Sequence, residues 1–148
     1  MSSPPLTAQT DEQLAAGLRL AVMRLARRLR QQAEHGITPS MLSALSSIER
    51  LGPLTFGQLA EAERVQPPTI TKIVARLEEQ GLVTRTVDPD DHRVARLRLS
   101  RRGSSLVAQA RSRKDAYLTA KLAGLPDADR DALVSAVAAI EKILAADE

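Results

Sequence analysis

Cysteine and tryptophan are absent from this 148-residue sequence, and the only aromatic residues are Phe56 and Tyr117. Without cysteine, the chain has no disulfides, no thiolate metal ligands and no cysteine nucleophile, and it cannot sense oxidants through a thiol. With only two aromatic side chains, the core must be built from Leu, Ile, Val and Ala, which favours helices. A chain of this length closes around one core, so we predict a single domain over residues 1–148.

Long apolar runs are also missing. No uninterrupted run approaches the roughly 20 residues that a membrane-spanning helix requires. The first residues, MSSPPLTAQTDEQ, contain neither the basic nor the apolar region of a secretory signal. We therefore expect a soluble cytoplasmic protein with no membrane partner.

The net charge is small, +3 from 21 Lys and Arg against 18 Asp and Glu, but its distribution is uneven. Residues 64–102 carry nine positive and five negative charges, whereas residues 123–148 carry two positive and six negative charges. This asymmetry indicates that one part of the surface contacts a polyanion. A randomly mixed, solvated surface is the alternative.

Apolar residues at helical spacing predict a long helix near each end of the chain. The stripe of the first helix consists of Leu14, Leu18, Val22, Leu25 and Leu29. Leu20 and Met23 lie off this stripe, as they would if the helix packed both on its own domain and on a partner subunit; a helix that is simply well buried is the alternative. The residues at core spacing in the last helix are Leu133, Val137, Ile140 and Leu144.

Local signals mark where the other helices begin and end. Thr38 is an N-cap before a proline, the segment from Thr55 to Gln58 has the form of a capping box, and Ser100 can cap a fifth helix. A fourth helix runs from Pro67 to Gly81, the C′ glycine. Two short helices joined by a tight turn give the outline of a helix-turn-helix.

The hydrophobic period then changes from helix to strand. Residues 82–87 are rich in β-branched side chains, residues 88–92 are dense in turn formers, and residues 95–99 alternate strictly. We predict a β-hairpin with one basic face. The fold class is therefore mainly helical with a small hairpin wing, a winged helix-turn-helix flanked by long helices.

The segment GLVTRTVDPDDHRVARLRLSRRG, residues 81–103, resembles the wing of MarR-type (multiple antibiotic resistance regulator) transcriptional regulators. The shared features are the Gly-Leu-Val opening, the Asp91-x-Arg93 motif and the Leu-Ser-x-x-Gly ending, in which the family more often has threonine in place of Ser100. The segment from Pro67 to Glu78 resembles the recognition helix of the same family. The resemblance covers most of the chain from about Leu14.

The resemblance implies a homodimeric transcriptional regulator, a repressor that binds a pseudo-palindromic operator in double-stranded DNA. Residues 1–36 and 103–148 would supply the dimerisation helices, and residues 38–102 the DNA-binding lobe. It also implies release of the DNA by a small aromatic or phenolic effector. A winged-helix module that binds proteins and has no affinity for DNA is the alternative function.

Physical reasoning assigns the DNA contacts to two places, and the first is the recognition helix. At about 100° per residue, its apolar residues face the core and its hydroxyl and cationic residues project outward. The predicted contacts here are Gln66, Pro68, Thr69, Thr71, Lys72 and Arg76. Gln66 stands where a short hydroxyl residue is expected as the cap, so it either caps less well or contacts DNA itself.

The second place is the wing. Arg93 follows a tight acidic turn, and its guanidinium suits a narrow, A·T-rich minor groove. Asp91 is badly placed for DNA because phosphates repel it, so we predict that it braces Arg93 or a nearby arginine through a bidentate pair. Arg96 and Arg98 share one face of the second strand and complete the predicted contacts.

Signals for catalysis, a cofactor or a metal are weak. His35 and His92 have no visible partner set, and no glycine-rich phosphate loop is present. The wing turn has a composition common in solvated turns, although its polar residues could be read as metal ligands: Asp88, Asp90, Asp91 and His92. We therefore predict that the protein is not an enzyme and has no cofactor or metal site.

The first helix is rich in arginine, with no acidic residue between Leu14 and Ala33. Arg24 or Arg28 could hold an effector carboxylate. The alternatives are a basic solvated face and pairing with the acidic C-terminal segment across a dimer. The sequence therefore leaves the effector-binding residues unassigned.

Overall fold

The computed structural model describes residues 9–33 and 36–147, so His35 lies outside the described residues. The helices are α1 (Asp11–Ala33), α2 (Pro39–Leu51), α3 (Phe56–Glu63), α4 (Pro67–Glu79), α5 (Arg101–Ala123) and α6 (Asp127–Ala145). The strands are β1 (Leu54–Thr55), β2 (Val83–Val87) and β3 (Ala95–Leu99). The predicted fold class, mainly helical with a small hairpin wing, is confirmed.

The predicted helix caps are formed. The Thr38 hydroxyl accepts from the Met41 backbone N–H at 3.2 Å and begins α2. Thr55 and Gln58 form the reciprocal capping box of α3, with distances of 3.1 Å and 2.9 Å. Because each cap satisfies a backbone donor that has no partner within the helix, the start of each element is defined by local sequence.

The end of α4 is a Schellman motif, as the glycine signal predicts. Gly81 has φ +68° and donates to the Glu78 carbonyl at 3.0 Å, and Leu82 donates to the Leu77 carbonyl at 2.9 Å. The chain therefore turns sharply from α4 into β2, which places the wing directly after the recognition helix.

The sheet has the strand order β1-β3-β2, and both pairings are antiparallel. Sequence reasoning missed β1, which has only two residues and exists because it pairs with β3 at Leu54–Leu97 and Thr55–Arg96. Leu97 is fully buried and lies on the sheet face that packs on the helices.

The core lies between α2, α3, α4 and the sheet and extends to the start of α5. Its large, fully buried side chains are Leu45, Leu59, Ile70, Val74, Leu77, Leu82 and Leu97. These aliphatic residues come from four elements and the segment between α4 and β2, so burial of their surface holds the lobe of residues 38–102 together.

The last helix has apolar residues at core spacing, but its described residues do not enter the core of the single chain. No described residue of α6 is buried, and Val134 and Val137 keep 73% and 59% of their surface exposed. On α1, Leu14 and Met23 are 57% and 60% exposed. No helix within the described ranges is long and apolar enough to cross a membrane.

A compact junction joins the recognition helix, the wing and α5. The Ser100 hydroxyl donates to the Gly81 carbonyl at 2.6 Å and accepts from the Gly103 backbone N–H at 3.0 Å, which caps α5 as predicted. The Ser100 N–H donates to the Leu82 carbonyl at 3.1 Å. Residues 19 positions apart in sequence are thereby held in contact where the wing meets the helices.

Candidate nucleic-acid interface

Helix α4 presents an apolar face to the core and a polar face to solvent. Ile70, Val74 and Leu77 are fully buried, which fixes the rotation of the helix about its axis. The other face carries the residues predicted to contact DNA, which are all exposed: Gln66, Pro68, Thr69, Thr71, Lys72 and Arg76. The structure therefore leaves every predicted contact of this helix open to a partner.

The start of α4 has unusual hydrogen bonding. Gln66 occupies the N-cap position but makes no side-chain cap, and the two prolines that follow have no N–H to donate. The Thr71 hydroxyl donates to the Pro67 carbonyl at 3.1 Å. The side-chain amide of Gln66 therefore makes no capping hydrogen bond and is available to a partner. Thr71 keeps its methyl group and an acceptor lone pair for outside contacts.

The turn before α4 is formed by a residue in an uncommon conformation. Arg64 lies in the left-handed region with φ +53°, and its N–H donates to the Glu61 carbonyl at 3.1 Å. At the same end of α3, the Glu63 carboxylate accepts from the hydroxyls of Ser43 and Ser47 at 2.6 Å and 2.5 Å. These contacts fasten the first helix of the helix-turn-helix to α2.

The wing turn is organised by Asp88, whose role sequence reasoning missed. Its carboxylate accepts from the Asp90 N–H at 2.9 Å and pairs with Arg96 Nε at 3.5 Å. The Asp90 N–H, together with the Asp91 N–H and Arg96, holds the pKa of Asp88 below its usual range, although partial burial opposes this. An Asp that starts a turn and accepts from the N–H two residues later is the signal that could have identified it.

At the tip of the wing, Asp91 contacts Arg93. One carboxylate oxygen, Oδ1, accepts from both the backbone N–H and the Nε of Arg93, each at 3.1 Å. The expected bidentate pair is therefore wrong in its geometry, because a single oxygen makes both contacts. This ion pair orients the Arg93 guanidinium through its Nε, and the Arg93 side chain is 91% exposed.

The arginines predicted to contact DNA from the wing lie at two separate places on its surface. Arg96 and Arg98 share the face opposite buried Leu97, as their alternation predicts. Arg98 lines a shallow depression beside Gly52, at the end of α2, whereas Arg93 lines a different cleft near the start of α3. The structure thus separates Arg98 from the wing tip.

Arg85 is a further cation of the wing that sequence reasoning did not single out. It pairs with Leu97 across the ladder, so it lies on the inner face of the sheet. Its Nη2 donates to Glu78 Oε1 at 2.6 Å, and its guanidinium carbon lies 4.8 Å from the centre of the Phe56 ring. Alternation with Thr84 and Thr86 predicts which face of the sheet Arg85 occupies. Its contacts with Glu78 and Phe56 depend on the fold and could not be predicted from that alternation.

Comparison with known proteins identifies close relatives of this chain. A model of the MarR family matches residues 37–95. An HTH-type transcriptional regulator of Mycobacterium bovis is 41% identical over 128 residues, which cover 86% of this chain and 90% of the relative.

Solved structures share the fold. A Pseudomonas aeruginosa protein described as a transcriptional regulator superposes with a TM-score of 0.82 and 32% identity, covering 92% of this chain and 98% of that one. A Staphylococcus aureus MepR mutant bound to an oligodeoxyribonucleotide superposes with a TM-score of 0.69 and 21% identity, covering 88% and 97%.

Proposed function

This chain belongs to the MarR family of transcriptional regulators, and from that premise we propose that it is a homodimeric repressor that binds a pseudo-palindromic operator. The observation that carries the proposal is an exposed polar face on α4 together with an exposed arginine, Arg93, that Asp91 orients at the wing tip. The solved MepR structure of the same fold contains bound DNA. The proposed activity is binding and not catalysis.

Each recognition helix enters a major groove of the operator. Thr69 and Thr71 offer methyl and hydroxyl groups to base edges and phosphates, and Lys72 and Arg76 meet phosphates or guanine edges. Each wing places Arg93 in the adjacent minor groove, where a narrow A·T-rich segment has enhanced negative potential. The two half-sites lie about one helical turn, 10 to 10.5 bp, apart.

The exposed apolar residues of α1 and α6 support a dimer. Single apolar residues on a surface are common, but a set spread along two helices marks an interaction surface. The set consists of Leu14, Leu20, Val22, Met23 and Leu25 on α1 with Leu133, Val134, Val137, Ile143 and Leu144 on α6. We assign the flanking segments 1–36 and 103–148 to dimerisation and residues 38–102 to DNA binding.

Arg93→Ala is expected to weaken operator binding about tenfold, and to lower the salt dependence of binding by about one counterion per protomer. The physical reason is the loss of a preoriented guanidinium from the minor groove. The measurement is a fluorescence-anisotropy titration at several salt concentrations, with a duplex that the wild-type protein selects from a random pool.

Arg50→Ala is the matched control for this change, because it also removes an exposed arginine but from α2, which holds none of the proposed DNA contacts. Its affinity and salt slope should equal those of the wild type. Unchanged binding by the Arg93→Ala variant would contradict the proposed role of the wing.

A cavity of about 260 Å³ between α1, α2 and α5 is the proposed effector site. Its walls combine apolar side chains, such as Ile37 and Leu42, with the cationic side chains of Arg30 and Lys114. This combination suits a small aromatic or phenolic anion. Arg24 and Arg28 lie elsewhere, in a separate cleft along α1.

An effector in this cavity would touch both a dimerisation helix and the DNA-binding lobe. It can therefore favour a dimer whose recognition helices no longer match the operator spacing. We expect salicylate, used as the probe, to lower operator affinity. We expect the double substitution Arg30→Gln and Lys114→Gln to raise the salicylate concentration needed for half of the effect about tenfold, because two charged contacts are lost.

Salicylamide, which lacks the carboxylate, is the ligand control for this prediction and should act weakly on both proteins. An equal salicylate effect on wild type and double variant would contradict the proposed site.

A further inference from the structure

Arg85 joins three elements through one side chain. It projects from β2, donates to Glu78 in the last turn of α4 at 2.6 Å, and lies over Phe56, the first residue of α3, with 4.8 Å to the ring centre. The Arg85 and Glu78 side chains are 48% and 33% exposed. Arg85 therefore spans from the wing to both helices of the helix-turn-helix.

The position of Glu78 is hard to explain by its own environment. A carboxylate in the last turn of a helix opposes the helix dipole, and this one belongs to the helix proposed to enter DNA. Glu79 beside it is exposed and makes no ion pair among the described residues. The short contact with Arg85 gives Glu78, but not Glu79, a favourable partner.

The base of the wing is held by buried Leu97 and by the Ser100 junction, whereas a cleft separates its outer end from α3. Strand β1 pairs with β3 only at Leu97 and Arg96, so the outer end of the hairpin, from Ala95 to the turn, has no third strand on that side. Between that end and the start of α3 lies an open cleft of about 530 Å³, lined by Arg85, Phe56 and Arg93 among others. Arg85 is the side chain that bridges this gap with both an ion pair and a ring contact.

We propose that Arg85 is a positioning residue that sets the wing against the recognition helix, so that the major-groove and minor-groove contacts are made together. Arginine suits this role because its planar guanidinium can donate to a carboxylate while its face packs on a ring, which an ammonium group cannot do. This inference rests on the proposed function, because positioning matters only if both elements bind one duplex.

The first test measures whether removing a carboxylate weakens or strengthens DNA binding. A positioning role and simple electrostatics predict opposite results. Removing a negative charge near DNA should strengthen binding if charge alone matters. We expect Glu78→Ala to weaken binding to the selected duplex about tenfold, because it frees Arg85, and Glu79→Ala to leave binding unchanged or tighter. Equal tightening by both variants would overturn the proposal.

The second test asks whether Arg85 acts through the wing tip. Arg85→Lys keeps the positive charge but loses the planar contacts, and we expect it to weaken specific binding about tenfold in the wild-type background. In the Arg93→Ala background, where the wing tip no longer carries a guanidinium, the same substitution should change DNA affinity little further. Additive losses would mean that Arg85 contacts DNA directly, which overturns the positioning role.

Two controls keep these outcomes distinct. Thermal unfolding of each variant, at one protein concentration, separates a loss of positioning from a loss of fold, since Glu78→Ala is a change at a half-exposed helix site that helices tolerate. If the wild-type protein does not prefer the selected duplex over a scrambled one, the proposed function fails. If it does and both Arg85→Lys and Glu78→Ala bind normally, only the positioning role fails.

Discussion

Gly103→Ala is expected to destabilise the folded protein by about 3 kcal/mol or more, a large part of the stability of an ordinary domain. A Cβ atom at position 103 would lie 2.0 Å from the Leu82 backbone carbonyl oxygen and 3.0 Å from its carbon. That carbonyl accepts from Ser100 and belongs to the segment between α4 and β2, so it cannot move without disturbing the junction. Glycine is required here for close approach of two backbones.

The measurement for Gly103→Ala is urea denaturation followed by the helical circular-dichroism signal. Gly57→Ala is the matched control, because Gly57 also lies in the first turn of a helix but has nothing within 4 Å of an added Cβ. We expect this control to be neutral or stabilising by up to about 1 kcal/mol, since alanine restricts the unfolded chain. Both titrations need the same protein concentration, because the stability of a dimer depends on it. Coincident midpoints for Gly103→Ala and wild type would contradict the close approach.

Val137→Glu is expected to convert the proposed dimer to monomers and to lower affinity for the proposed operator at least about a hundredfold. The valine is 59% exposed in the single chain, so the change leaves the protomer core intact. In a dimer the glutamate would be an unpaired charge inside an apolar interface, which costs several kcal/mol. Once the two recognition helices belong to separate molecules, the gain from binding two linked half-sites is lost.

Analytical ultracentrifugation and anisotropy titration with the selected duplex measure the two expected effects together. Ser135→Glu is the matched control, since it adds the same charge to an exposed position about 200° around α6 from Val137. A dimer with full affinity is expected for the control. If the Val137→Glu variant stayed dimeric and bound the operator normally, α6 would not belong to the dimer interface.

Local sequence signals predicted the parts of the fold that depend on near neighbours. The Thr38, Thr55 and Ser100 caps and the Gly81 turn each involve a residue and a backbone group a few positions away, so their chemistry is visible in sequence. The alternation of β3 likewise gave the faces of the wing correctly.

Features that depend on distant residues could not be predicted. Strand β1 has too few residues for a period and forms only against β3. The contacts of Arg85 with Glu78 and Phe56 depend on how the wing folds back on the helices. An apolar stripe such as that of α6 does not distinguish the core of its own chain from a surface that meets a partner, so its spacing could not predict that Val137 is exposed in the single chain.

The central claim is that this protein reads a specific DNA sequence with α4 and the wing. Its most direct test is selection of duplexes from a random pool, followed by anisotropy titration of the enriched duplex and a scrambled one over a series of salt concentrations. The proposal predicts enrichment of an inverted repeat with half-sites about one helical turn apart, and a preference of about a thousandfold or more that persists as salt rises. Absence of enrichment together with no binding of the unselected pool at low salt would contradict it, and would favour a winged-helix module that binds proteins.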